Sequence, residues 1–272
     1  MLTPGRAVVY VFLGAFAAVV TGAALKGVPA GAAGRPAPQR EPSIPKELRE
    51  RIGAWAEVFL KRTPEFTAVE TREETRWGRK GPENTSRSVG EYTVRRSADG
   101  APVVESRVPL SQGDAKNTSK ERKGERAYSV PSLSSPFALV ARLAERNQDR
   151  MKFFFAQDTS DVASDYALVG YRQDAGEGLA ELDGKAVYPR GQAWVDADNG
   201  RIFRIEDEVS FKNARYTTAV EFSNQNELNL WLPREVKIRT FEKGRIEQEI
   251  TYSYAGYRLL APAGAAAPAT KP

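Results

Sequence analysis

Asp196, Asp198 and Asn199 stand just before Gly200 in GQAWVDADNGRIFRIEDEV, residues 191–209, and alternating oxygen-bearing side chains ahead of a glycine can open a calcium loop. A helix-loop-helix calcium site needs its glycine at the sixth position and a carboxylate at the twelfth. Counted from Asp196, the glycine here is fifth. The flanks AWV and RIFRI are rich in β-branched and aromatic residues, and Asn-Gly suits the positive φ angles of a two-residue hairpin. The segment therefore reads as a corner between two strands.

Two other acidic groups could do chemistry. Glu70, Glu73 and Glu74 cluster in ETREET, and Glu206, Asp207 and Glu208 follow the corner, so a carboxylate-dependent hydrolase is the enzyme the composition leaves open. The chain has no histidine and no cysteine, which removes Ser-His and Cys-His nucleophiles, thiolate chemistry, disulfides and the common zinc sites. No G-x-S-x-G, P-loop or H-E-x-x-H motif occurs, and Gly176-Glu177-Gly178 lacks the strand and helix frame of a dinucleotide site. Alternation along the strand puts Glu206 and Glu208 on a wet face beside Arg204 and Lys237, where cross-strand ion pairing accounts for them. The same parity sends Asp207 inward. Either a turn, bulge or tyrosine hydroxyl accommodates it, or it is a buried functional acid. The expectation is a protein that is not an enzyme and has no cofactor or metal.

Several elements would have to position these groups. Leu48, Ile52, Trp55, Ala56 and Phe59 recur at helical spacing, with Ser43 as a candidate N-cap and Thr63-Pro64 as the stop. A second helix is expected from Ser135 to about Arg150, burying Phe137, Val140, Leu143 and Ala144. Between them, EFTAVETREETRWGR and GEYTVRRSADGAPVVESRV read as three strands. From Met151 onward the chain alternates as strands must when one sheet face is buried. One face collects Phe203, Ile205, Val209 and Phe211, then Tyr216, Val220 and Phe222, then Leu228, Leu230, Leu232, Val236 and Ile238, then Ile246, Ile250, Tyr252 and Tyr254. The other face is charged. The fold class is thus α+β: a curved antiparallel sheet of about ten strands, an unclosed β-barrel, with two helices over its concave face.

The ends differ in kind. Arg6 precedes an uncharged run from Ala7 to Leu25, followed by small residues, so 1–30 reads as an export signal, with an uncleaved anchor as the alternative. Residues 31–43 read as a Pro/Ala/Gly linker, 44–260 as one domain and 261–272 as a disordered tail. The location implied is the periplasm or cell envelope.

The order of export signal, amphipathic helix and long strand meander, with WVDADNGRIFRIE, LWLPREVKIRTF and ITYSYAGYRLL, resembles bacterial exported proteins similar to the LolA/LolB-type lipoprotein carriers. The resemblance implies an unclosed barrel whose helices act as a lid over an apolar cavity for acyl chains. Its recognisable motifs lie in 184–260, and no functional residue of that family is carried over.

On that basis the candidate ligand-binding residues are Phe203, Phe211, Tyr216, Phe222, Tyr252 and Tyr254, whose aromatic area and hydroxyl tips suit a lipid or acyl chain. The competing reading is a packed core in an envelope scaffold. Lys116, Lys120, Arg122, Lys123 and Arg126 lie in a segment without apolar period, which suits either a solvated loop or contact with an anionic membrane. The net charge of +5 is compatible with both. Nucleic acid is not expected as a partner.

Overall fold

Alternating apolar residues set the architecture. The computed structural model describes residues 41–96, 104–112, 128–129, 133–156, 166–182 and 184–260. The expected signal, the linker up to residue 40, the five cations from Lys116 to Arg126 and the tail 261–272 lie outside these residues. Strands β1 (Phe66–Gly78), β2 (Gly81–Arg95), β3 (Val104–Gln112) and β4 (Tyr128–Ser129) are followed by β5 (Lys152–Phe155), β6 (Tyr166–Arg172), β7 (Ala180–Leu182) and β8 (Lys185–Val187). Then come β9 (Arg190–Asp196), β10 (Ile202–Phe211), β11 (Ala214–Gln225), β12 (Leu230–Glu242) and β13 (Arg245–Leu259).

Eleven of these form one sheet in the order β4, β3, β2, β1, β13, β12, β11, β10, β9, β6, β5, and every pairing in it is antiparallel. The first long strand lies against the last, and the two edges, β4 and β5, remain apart, so the sheet is open as expected. Residues 185–196 are divided between two sheets: β8 pairs with β7 in a separate ribbon, and β9 joins the main sheet.

Helix α1 spans Lys46–Arg62 and ends where Thr63 donates its backbone N–H and its hydroxyl to the Phe59 carbonyl. Ser43 does not cap it. That residue bridges Phe154 of β5, and Pro45 holds the N-cap position with no side-chain bond. Helix α2 is shorter than its periodicity suggests, Pro136–Leu143, because Ala144 is extended and the chain continues as a 3-10 turn over Glu145–Arg150. Ser135 caps α2 by accepting the Ala138 N–H.

Residues from both helices and from the strands share one apolar core, including Ile52, Ala56 and Phe59 of α1 and Phe137, Leu139, Val140 and Leu143 of α2. Leu133, Ala180, Val187 and Val209 form a second, smaller core beside the β7–β8 ribbon.

The acidic corner is a hairpin connection, but not a two-residue one. Gly200 N–H donates to Asp196 O at 2.8 Å, the Asp196 carboxylate accepts the backbone N–H of Asp198 and Asn199, and only Gly200 takes a positive φ, +74°. The corner packs on α1: a Cβ at Gly200 would lie 2.4 Å from the Arg51 backbone carbon, and Arg51 Nη1 donates to Ala197 O at 2.8 Å. The Asp196 side chain is committed to the turn, accepting also from Asn199 Nδ2 at 2.8 Å.

Candidate ligand-binding face

The seam between helices and sheet is aromatic. Phe59 of α1 stacks on Phe137 of α2 with ring centroids 5.2 Å apart and meets Phe222 of β11 edge-on at 5.7 Å. Phe66 and Tyr257 lie 5.4 Å apart, and Tyr92 and Tyr254 4.8 Å apart, on the adjoining strands. Such pairs add about 0.5–1.5 kcal/mol each beyond the area they bury.

The six sequence-derived candidates separate into three places. Phe222, Tyr252 and Tyr254 belong to the main core. Phe211 and Tyr216 are half-buried against the smaller core. Phe203 departs from the expected inner face. Ile202 pairs with Val195 while Arg204 pairs with Trp194, so β10 carries a bulge at 203 that puts Ile202 in the core. Phe203 packs edge-on against Tyr166 and Trp231, with the Arg201 guanidinium 5.9 Å from its ring.

Two buried polar clusters interrupt the apolar seam, and both involve the α2 region. In the first, Arg107 of β3 donates Nε to Glu70 of β1 at 2.6 Å, Nη2 to the Tyr254 hydroxyl at 2.9 Å and Nη1 to Ser134 Oγ at 3.2 Å. Its guanidinium also lies 4.1 Å from the Tyr252 ring centre. Gly90, which pairs with Glu70 on the intervening strand, contributes no side chain to this face. Next to it, Glu105 accepts hydrogen bonds from the Tyr92 hydroxyl and from Ser135 Oγ. Burial pushes the Glu105 carboxyl from the ordinary 4.5 up to about 7, against the pull of its two hydroxyl donors and of Arg107. Burial also raises Glu70, in spite of the Arg107 charge beside it.

The second cluster joins Arg142 of α2 to Asp207 of β10. Arg142 Nη1 donates to Asp207 Oδ2, and the Tyr171 hydroxyl donates to Oδ1 at 2.9 Å. Both ionic side chains are almost fully buried, at 2% and 1% exposure. Asp207, Gly191 and Tyr171 lie in register across three strands. A Cβ at Gly191 would come within 2.6 Å of the Tyr171 hydroxyl, so only glycine leaves room for the tyrosine to reach the acid. Burial raises the Asp207 carboxyl from its ordinary value and the Arg142 charge opposes this. The inward parity of Asp207 is therefore real, and a tyrosine hydroxyl together with an arginine accommodates it. Arg142 Nε and Nη2 are sealed from solvent and have no hydrogen-bond partner among the described residues.

The other candidate acids, Glu73, Glu74, Glu206 and Glu208, are engaged by cations. Glu74 takes Arg72, Arg76 at 3.1 Å and Gln248 at 2.7 Å; Glu73 takes Arg87 at 3.6 Å. Glu206 pairs with Arg204 as expected and Glu208 with Arg190 and, at 3.3 Å, Arg215, whereas Lys237, expected beside them, pairs instead with Glu235 on its own strand at 3.8 Å. Ser135 and Glu105 bring a hydroxyl to a carboxylate, yet the oxygen of Ser135 also accepts the Ala138 N–H and the residue is buried, so the pair works as a helix cap.

Sequence reasoning did not single out Arg107, Glu105, Arg142 or Tyr171. Arg142 did leave a signal, a lone cation inside the apolar run PFALVARLA, one turn after Leu139. β3 misleads because its polar residues, Glu105 and Arg107, point inward while Leu110 is exposed.

No protein-family model matches the sequence, and no curated protein matches it. Among solved structures, the chain is similar to a domain described as an outer membrane lipoprotein-sorting protein from Vibrio parahaemolyticus, at 12% identity over 80% of this chain and 92% of that one, with a TM-score of 0.41. It is similar to a DUF1329 family protein from Desulfovibrio piger at 8% identity, covering 80% and 94%, with a TM-score of 0.46. A LolA superfamily protein from Nitrosomonas europaea gives 11% identity, coverage of 78% and 94%, and a TM-score of 0.37.

Proposed function

We propose that the chain is a non-enzymatic protein of the cell envelope that takes up an apolar ligand, a lipid or acyl chain, between the concave sheet face and its two helices. The described arrangement is then the closed form. The observation that carries this reading is the aromatic seam of Phe59, Phe137 and Phe222 between α1, α2 and β11. A greasy ligand entering such a seam exchanges one apolar contact for another, which costs far less than parting a polar interface. The export signal read in residues 1–30 supports a periplasmic location, and a contact of Lys116, Lys120, Arg122, Lys123 and Arg126 with an anionic membrane belongs to the same proposal. That each acid of the 70–74 group is held by an arginine supports a role other than hydrolysis.

The deep burial of Phe222, Tyr252 and Tyr254 favours a second reading, an envelope scaffold whose core is permanently packed. Native mass spectrometry of the protein, exported by a bacterial host and purified without detergent, separates the two. Bound mass matching a lipid or acyl chain, lost in F222E while its circular dichroism is kept, supports the carrier. A clean mass that takes up no added lipid sinks it in favour of the scaffold.

A further inference from the structure

Arg142 uses only half of its guanidinium. Nη1 is spent on Asp207, whereas Nε and Nη2, the two donors of one planar edge, are buried with no partner among the described residues. Buried arginine donors are usually matched; Arg49 and Arg204 leave Nε alone unmatched, whereas Arg142 leaves a whole edge, which is the shape of a place where an acceptor arrives from outside the chain. The side chain is 98% buried on the sheet-facing side of α2, in the polar patch that Asp207 and Tyr171 make beside the apolar seam.

Charge decides what that acceptor is. Arg142 and Asp207 already neutralise one another, and a second carboxylate or a phosphate at this edge would leave the sealed patch with an uncompensated negative charge. A neutral oxygen with two lone pairs would match both donors and leave the patch neutral. Resting on the carrier reading above, we infer that the Nε–Nη2 edge of Arg142 anchors the carbonyl oxygen of an ester- or amide-linked acyl chain lying between α2 and β10. The hydrocarbon then follows the seam toward Phe137 and Phe222, and α2 must shift outward to admit it, because the edge is closed to solvent in the described state.

The test uses three probes with chains of similar length, methyl palmitate, palmitate and hexadecane, added to the full protein and to R142K. Lysine keeps a cation for Asp207 but lacks the planar edge. The wild type is expected to take up methyl palmitate about tenfold more tightly than hexadecane, the gain of one good hydrogen-bonded contact. R142K should bind both probes equally. Infrared spectra of carbonyl-labelled methyl palmitate should show the ester stretch moving to lower wavenumber on binding to the wild type, a readout that stands even where R142K fails to fold. Equal binding of ester and alkane by the wild type, an unshifted stretch, an ester preference that survives in folded R142K, or palmitate binding more tightly than its methyl ester would each overturn the inference. Uptake of no probe at all would overturn the carrier reading, and this inference with it.

Discussion

Arg107 and Glu70 form an ion pair that spans a whole strand: the arginine lies on β3, the glutamate on β1, and Nε meets Oε2 at 2.6 Å with both side chains at least 95% buried. Removing one partner leaves the other charge stranded in the core. R107M should therefore destabilise the fold by about 3–5 kcal/mol, and E70M/R107M should recover much of that loss, because a buried pair adds little over a well-packed apolar replacement. Urea unfolding midpoints of the two variants measure the difference.

Stability should fall as pH rises through the mildly acidic range. Below pH 4.5 Glu105 is protonated in both folded and unfolded chains; between 4.5 and about 7 the unfolded chain gives up this proton while the folded one keeps it. In that window the folded state binds more protons, so raising pH favours unfolding, by about 3 kcal/mol at most from this residue, and the effect levels off above about pH 7. Burial raises Glu70 and Asp207 in the same sense. Denaturant titrations of wild type and E105Q from pH 4.5 to 8 check this: the variant should show the shallower slope.

Tyr171 reaches Asp207 only across Gly191. Y171F should cost about 1.5–3 kcal/mol, the range for a buried hydrogen bond to a charged group. G191A should cost at least about 2 kcal/mol, because its Cβ would sit 2.0 Å from the Glu206 carbonyl oxygen as well as close to the tyrosine hydroxyl. If G191A melts at the wild-type temperature, the register of β6, β9 and β10 described above is wrong.

Two aromatic residues that alternation assigns to one face should behave differently. F222A removes a ring from the main core and is expected to cost about 3–5 kcal/mol, whereas F203A loses two edge-on contacts on a half-exposed surface and should cost about 1–2 kcal/mol. Thermal unfolding of both variants decides it. Similar losses would argue against the bulge that turns Phe203 away from the core.

Residue alternation and helical spacing determined by themselves that this chain makes an open antiparallel sheet covered by two helices, because both periodicities follow from backbone geometry within one element. They located Phe222, Tyr252 and Tyr254 in the interior and paired Glu206 and Glu208 with outer cations for the same reason. Tertiary structure alone decided the polar interior. Arg107 finds Glu70 at a sequence separation of 37 residues and Arg142 finds Asp207 at 65, partnerships that no local pattern encodes. A single extra residue in β10 took Phe203 out of the core, since a bulge reverses parity and hydrogen bonds to the neighbouring strand, not residue type, set where it falls.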